Sequence, residues 1–305
     1  MALGVGGAHA KTFKWTSASD IPTWDIHSQN NALANGVHAA VYESLVYYNS
    51  KTQLRLNLRT GVKFHDGSTF SADDAVFSIE RAMSKTSNFG IYAQGIDRVV
   101  KVDANTIDIF TKDPNPVLLN QLTELRMMSK AWAEKNNSTA PKDIKTQDET
   151  FAHRNANGTG PFMLKEWQPD QKIVLVKNTA WWGKAEGNVT EIVYTPVKAV
   201  ATRMSALLSG EVDLVLDPSP QDLPRVRSDA SLKVIDGIEN RTIFFGMDQF
   251  RDELPGSNIK GKNPLKDRRV RQALYQGIDM STITRVSLRG LGQATGALVA
   301  PQVNG

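Results

Sequence analysis

Residues 191–216 constrain the fold more than any other part of the chain. An apolar run over 191–196 is followed by helical spacing over 200–208, a glycine at 210 and a second apolar run over 212–216. Gly210 suits the left-handed cap that ends a helix, and the two flanking runs read as strands. A strand–helix–strand unit of this length closes as a right-handed crossover between parallel strands. The fold class is therefore α/β, with a mixed sheet flanked by helices. Asp217-Pro218-Ser219-Pro220 follows the second strand, and open α/β sheets bind ligands in the crevice outside their strand ends.

The remaining elements read from period and punctuation. A strand over 12–16 leads into a turn at Ser17-Ala18-Ser19-Asp20-Ile21-Pro22, and Val37, Ala40, Val41, Leu45 and Tyr48 give a helical stripe over 35–48. Leu54, Leu56 and Leu58 alternate on one face of a strand, and a turn at His65-Asp66-Gly67 follows. Ser71 opens a helix whose first turn holds Asp73 and Asp74, with Val76, Ile79, Ala82 and Met83 as its buried stripe. Strands are predicted over 99–102, 106–110, 162–167, 172–177 and 242–247, and residues 135–157 are mostly loop. Helices are predicted over 268–276 and after Asp279.

Composition narrows the function. There are 36 basic and 32 acidic residues in 305, a net charge of +4, but the basic residues are scattered and form no stripe with interleaved aromatics. Nucleic acid is therefore not the expected partner. No apolar run is long enough to cross a bilayer. The absence of cysteine excludes disulfides and thiolate metal sites, and His9, His27, His38, His65 and His153 show no metal-ligand spacing. No cofactor is expected. Ala8-His9-Ala10 has the small-x-small form of a signal-peptidase site, so residues 1–10 read as an export-signal remnant or a leader.

Four ordered segments carry a family resemblance: Leu58-Arg59-Thr60-Gly61-Val62-Lys63-Phe64-His65-Asp66-Gly67, Gly158-Thr159-Gly160-Pro161-Phe162, Ala206-Leu207-Leu208-Ser209-Gly210-Glu211-Val212-Asp213-Leu214, and Asp267-Arg268-Arg269-Val270-Arg271-Gln272-Ala273-Leu274. Together they resemble the family 5 extracytoplasmic solute-binding proteins of peptide, opine and nickel ABC importers, typified by oligopeptide- and dipeptide-binding proteins. The resemblance implies a periplasmic-binding-protein-like class II clamshell. Residues 11–59 and 151–245 would form the first lobe, 60–150 an inserted α/β subdomain, and 246–305 the start of a second lobe that is incomplete here. It further implies a monomeric protein, exported to the periplasm of a Gram-negative bacterium, that captures a short peptide or other small solute between lobes and delivers it to the permease subunits.

By the same resemblance Asp20, Ile21, Tyr92, Leu216, Asp217, Ser219, Arg241 and Phe244 would face the ligand. Asp20 and Asp217 have a plainer reading as turn carboxylates; Arg271, which could reach a ligand carboxylate, reads better as half of an interlobe or helix-surface ion pair, and Trp181 and Trp182, which could form a ligand platform, as core. In a strand over 242–247, Phe244 and Phe245 would point to opposite faces. Two alternatives stand beside the carrier: a first-lobe fragment that binds nothing tightly, and a hydrolase using a cleft carboxylate. No nucleophile–base constellation supports the hydrolase, because His65 and Asp66 are adjacent in a turn and do not converge on one reacting atom.

Overall fold

A computed structural model describes residues 11–43, 52–143, 145–146, 149–237 and 241–300. The expected leader and the distal end of the helix expected over 35–48 lie outside the described residues. The chain divides into two compact units, Met1–Asp217 and Pro218–Gly305.

In chain order the first unit contains β1 (Lys11–Ser17), α1 (Ala32–His38), β2 (Gln53–Asn57), α2 (Ala72–Met83), α3 (Gly90–Ala93), β3 (Ile96–Asp103), β4 (Thr106–Thr111), α4 (Leu118–Leu122), α5 (Lys130–Lys135) and α6 (Phe151–Arg154). It continues with β5 (Phe162–Gln168), β6 (Lys172–Lys177), β7 (Val189–Pro196), α7 (Val200–Leu208) and β8 (Leu214–Val215). A five-stranded sheet has the order β5-β6-β7-β1-β8, and a three-stranded sheet the order β2-β4-β3. β1 is parallel to both neighbours, β7 and β8, while β5, β6 and β7 are antiparallel. The strand–helix–strand unit β7-α7-β8 therefore straddles β1, and the sheet is mixed as the sequence requires. Gly210, at φ 74°, supplies the left-handed residue after α7. β8 is shorter than the run over 212–216 suggested.

Each sheet has its own core. Leu54, Leu56 and Leu58 are buried with Val62, Phe64, Ile79, Ile107 and Ile109 under the small sheet. Trp24, Val37, Tyr42, Ile173, Leu175 and Tyr194 form the core of the large one. α2 starts where Ser71 predicted, and Asp74 closes the cap by accepting from the Ser71 amide at 2.9 Å. α1 starts at Ala32, before the predicted position, because Asn31 caps it through its side chain, accepting from Ala34 N at 2.9 Å.

Two of the motif segments lock onto each other. His65 N donates to the Gly158 carbonyl at 2.9 Å, and the His65 ring lies between Gly158 N, 3.3 Å from Nδ1, and the Gly160 carbonyl, 3.1 Å from Nε2. Asp66 and Asn157 exchange two hydrogen bonds, Asp66 N to Oδ1 at 3.1 Å and Asn157 Nδ2 to Oδ2 at 2.9 Å. On its other side this strip pairs with the chain after α1, through Gly160 N to Val41 O and Phe162 N to Ala40 O. A Cβ on Gly158 would stand 1.9 Å from the Val41 carbonyl oxygen, so only glycine fits. His65-Asp66-Gly67 is thus a turn, with both ring nitrogens engaged in holding the fold.

The second unit contains α8 (Leu223–Arg227), a 3-10 turn over Pro264–Lys266, α9 (Arg268–Gln276), α10 (Met280–Thr282) and a π turn over Ile283–Ser287. α9 matches its predicted span and Asp279 caps α10, accepting from Thr282 N at 2.9 Å. The strand expected over 242–247 does not form. A strand exists only where a neighbour takes its backbone groups, and no described strand pairs there. Phe244 and Phe245 are both exposed, so the two-faced arrangement does not arise. Arg271 caps the preceding turn, donating to the Leu265 and Lys266 carbonyls at 2.7 and 3.0 Å, and among the described residues it forms no ion pair. α9 buries none of its residues, and Leu274, Tyr275, Ile283 and Val286 are exposed.

Candidate functional site

The carboxyl ends of β7, β1 and β8 lie side by side, and the chain leaves them through three loops. After β1 come residues 18–22; Ser17 O accepts from Val197 N at 2.9 Å, and Thr16 O accepts from Leu216 N at 3.1 Å. These bonds carry the parallel pairing to the brink of the sheet and hold the loops there. Arg203, buried on α7, fixes the β7–α7 loop by donating to the carbonyls of Val197 and Lys198 at 2.6 and 2.9 Å.

Asp20 is a structural carboxylate as much as a surface one. Its Oδ1 accepts from Ile21 N at 2.8 Å, and its Oδ2 accepts from Trp167 Nε1 at 3.1 Å and from Asp170 N at 2.8 Å. Asp170 is in the left-handed region, φ 58°, at the turn between β5 and β6, so Asp20 ties the β1 exit loop to that hairpin. The Ile21 side chain is buried in the core of the large sheet and its amide is taken by Asp20, which leaves its carbonyl as the part that can meet a ligand. From below, the Tyr194 hydroxyl donates to the Ser19 carbonyl. Burial pushes the Tyr194 phenol up to about 12, so it remains a donor at neutral pH.

Leu216 and Asp217 are exposed at the end of β8. Asp217 is also left-handed, φ 52°, a conformation that aspartate tolerates better than most residues. The β8 exit therefore turns sharply and presents a carboxylate beyond the strand ends. Tyr92, on α3, packs against Phe89 with ring centroids 5.8 Å apart, and its hydroxyl lies 3.5 Å from Asn30 Nδ2. In the second unit Ser219 is half-buried and its Oγ accepts from Gln221 N at 3.2 Å, while Arg241 and Phe244 are exposed.

What orders the loop after Ile21 is a buried polar knot that the sequence did not advertise. Arg81 of α2 and Asp25 have fully buried side chains and form a two-pronged pair, 2.8 and 2.9 Å. Arg81 also reaches the carbonyls of Ser138 and Ala140 and lies 3.1 Å from His27 Nδ1, and Asp25 accepts from Lys142 N at 2.8 Å. Burial alone would raise the Asp25 carboxyl; the charge and hydrogen bonds of Arg81 outweigh it and hold the group below its ordinary range. His27 is driven down to about 3, first by burial and then by Arg81. His38, also driven down by burial, to about 4, donates from Nε2 to the Thr23 carbonyl at 2.9 Å. Both rings are neutral. Charged residues distant in sequence give no periodic signal, so this knot was legible only in three dimensions.

Trp182 was expected in the core but is 40% exposed. Its indole N–H donates to Glu43 at 2.8 Å and the Arg59 guanidinium lies 4.1 Å from its ring centroid, so polar partners hold it at the surface. Among the described residues no group of three or more His, Cys, Asp or Glu is placed to hold a metal ion, and no helix is long and apolar enough to cross a membrane.

Comparison with known proteins agrees with this architecture. The dipeptide-binding protein of Escherichia coli (strain K12) is 26% identical over 276 residues, 82% of this chain and 47% of that protein. Heme-binding protein A of Haemophilus influenzae is 26% identical over 288 residues, 88% of this chain and 49% of its own length. The chain thus spans about half the length of the curated relatives it matches. Among solved structures, the periplasmic binding protein DppA from Helicobacter pylori, in complex with the peptide STSA, superposes with a TM-score of 0.76 at 21% identity, covering 97% of this chain and 62% of that one. It shares the fold. Residues 37–305 match the family described as bacterial extracellular solute-binding proteins, family 5 Middle, and the chain belongs to that family.

Proposed function

We propose that this chain is part of the substrate-binding component of a bacterial ABC importer, that it captures a short peptide outside the cytoplasm, and that it delivers the peptide to a membrane permease. The observation that carries the reading is the brink of the large sheet: three parallel strand ends, an exposed Leu216-Asp217 step, and a β1 exit loop whose shape is fixed by the bonds of Asp20. The crevice beyond the carboxyl ends of such strands is where open α/β sheets take ligands, and an extended peptide laid across the exit loops meets it with its own backbone donors and acceptors. Asp217 would meet a ligand's cationic group. Two relatives from different bacteria that carry dipeptide-binding names favour peptide over the other solutes of the family. No bond is made or broken in this role.

The test is native mass spectrometry of gently purified protein, followed by denaturing mass on the same sample. The expected result is a native excess of a few hundred daltons that is released on denaturation and fragments as a peptide. A protein that retains no solute and gives no isotherm with a panel of di- to pentapeptides would refute the reading, as would turnover of the peptide.

A further inference from the structure

Where the β1 exit loop ends, a polar depression of about 450 Å³ opens between the residues after Ile21 and the chain around Lys142, lined by Pro22, Thr23, Ser28, Gln29, Lys142, Thr146 and Glu149. Its polar groups are ordered by bonds on their far sides. Thr23 Oγ1 accepts from Asp25 N at 3.0 Å and lies 3.0 Å from His153 Nδ1, and Ser28 Oγ donates to the Lys142 carbonyl at 2.8 Å. His153 Nε2 lies 3.1 Å from Glu149 Oε1. Burial and the nearby Lys142 charge keep this imidazole below its ordinary value, so at neutral pH it carries its proton on Nε2 and leaves Nδ1 as an acceptor.

Among the described residues that line the depression, Glu149 already has its own cationic partner. Glu149 is taken up by Arg154, which grips it through two bonds of 3.0 and 2.9 Å, and by His153. Asp25 is spent on Arg81 and on the Lys142 backbone amide. Among the described residues, Lys142 and Arg154 are therefore two cations beside one carboxylate, Glu149. Among the described residues the Lys142 ammonium has one hydrogen-bond partner, the neutral His153 Nδ1 at 3.3 Å. An ammonium has three N–H donors, so two remain for a ligand in the depression that Lys142 lines.

We infer that this depression is a binding site for a small oxyanion, a carboxylate or a phosphate group, held by the Lys142 ammonium with the Gln29 side-chain amide as a second N–H donor. The proposal is independent of the peptide reading, because it uses neither the strand ends nor Asp217. His153 is the natural reporter, since its Nδ1 shares Lys142 with the incoming anion. The groups around the imidazole are Lys142, Glu149, Arg154 and Asp25.

The experiment is a titration of the ¹⁵N-labelled chain at pH 7.5 and fixed ionic strength with sodium phosphate, sodium acetate and, as control, sodium chloride. The ring nitrogens of His153 are followed and assigned with His153→Gln. The expected result is a saturable shift of the His153 nitrogens with phosphate or acetate and none with chloride. The preferred anion tells a phosphate ligand from a carboxylate. Lys142→Met should weaken the response at least ten-fold, and Lys142→Arg should keep it within about three-fold. The Lys142 backbone bond to Asp25 is untouched by either change; should the methionine variant not fold, Lys142→Gln serves the same comparison. An unsaturable response, or one unchanged in Lys142→Met, overturns the site.

Discussion

Lowering the pH from 7.5 to 5.0 should remove a large part of the stability of the first unit, and the structure sets the amount. His27 and His38 are buried and neutral, with values near 3 and 4 against an ordinary 6.5. In the unfolded chain both take up a proton as the pH drops through about 6.5; in the native state neither does until about 4 for His38 and about 3 for His27. Between those limits the unfolded state binds more protons, so stability rises with pH and is lost on acidification. At pH 5.0 each ring forfeits about 1.36 × 1.5, or about 2 kcal/mol, and the two together about 4 kcal/mol. Set against a usual total of about 5–15 kcal/mol, that is decisive. His65 and His153 are lowered in the same sense and add to the slope, while Asp25, held below its ordinary range, adds its share only under about pH 4. All six tryptophans lie at or before Trp182. Urea unfolding followed by tryptophan fluorescence at pH 7.5, 6.0 and 5.0 therefore reads this unit alone. His38→Gln, which can still donate to the Thr23 carbonyl, should reduce the loss between pH 7.5 and 5.0 by about 2 kcal/mol, whatever it does to stability at pH 7.5. Equal stability at pH 7.5 and 5.0, or an undiminished loss in His38→Gln, would refute the reasoning.

Three further outcomes follow from the geometry. Arg81→Met should destabilise the first unit by about 3–5 kcal/mol, because it strands the Asp25 carboxylate in the core. Adding Asp25→Leu should restore part of that loss, and strictly additive effects in urea melts would show that the two groups do not act as a pair. Gly158→Ala forces a methyl into the Val41 carbonyl and should cost at least about 1–3 kcal/mol; an unchanged melting curve would mean the strip at 157–160 is not held as described. Trp182→Ala should cost only about 1 kcal/mol, as suits an exposed indole with a cation at its face, where a core tryptophan would cost about 3–5 kcal/mol.

Much of the fold was written in local periodicity, and its failures share a cause. Leu54, Leu56 and Leu58 alternate and are buried, and residues 200–208 with Gly210 give helix and cap at their predicted positions, because spacing and backbone freedom are properties of short stretches. Thr242 to Met247 has the composition of a strand and is not one, since a strand is completed by a neighbour that composition does not name. Trp182 was misplaced for the same reason: Glu43 and Arg59, remote in sequence, hold it at the surface. The candidate site divides along this line. Asp217 at the β8 exit was readable from the strand–helix–strand rule, whereas the bonds from Trp167 and Asp170 that occupy Asp20 were not.

The buried polar knot draws the consequence furthest. Residues 23–28, Thr-Trp-Asp-Ile-His-Ser, belong to no helix or strand, yet every one of them is buried. The loop that starts at the brink of the sheet is thus anchored by directional contacts: Arg81 on Asp25, Thr23 on His38 and His153, and the His27 carbonyl accepting from Asn88 N at 3.1 Å. Apolar packing tolerates small slides among similar rotamers, whereas a two-pronged ion pair with both partners desolvated has one geometry and a steep penalty for leaving it. Because Arg81 stands on α2, which packs on the small sheet, and Asp25 follows the β1 exit, the pair ties the two cores of the first unit to each other. The pair is therefore a directional link between two apolar cores, and because Arg81 holds the Asp25 carboxyl below its ordinary range, acid reaches it only after the neutral His27 and His38 have begun to cost stability.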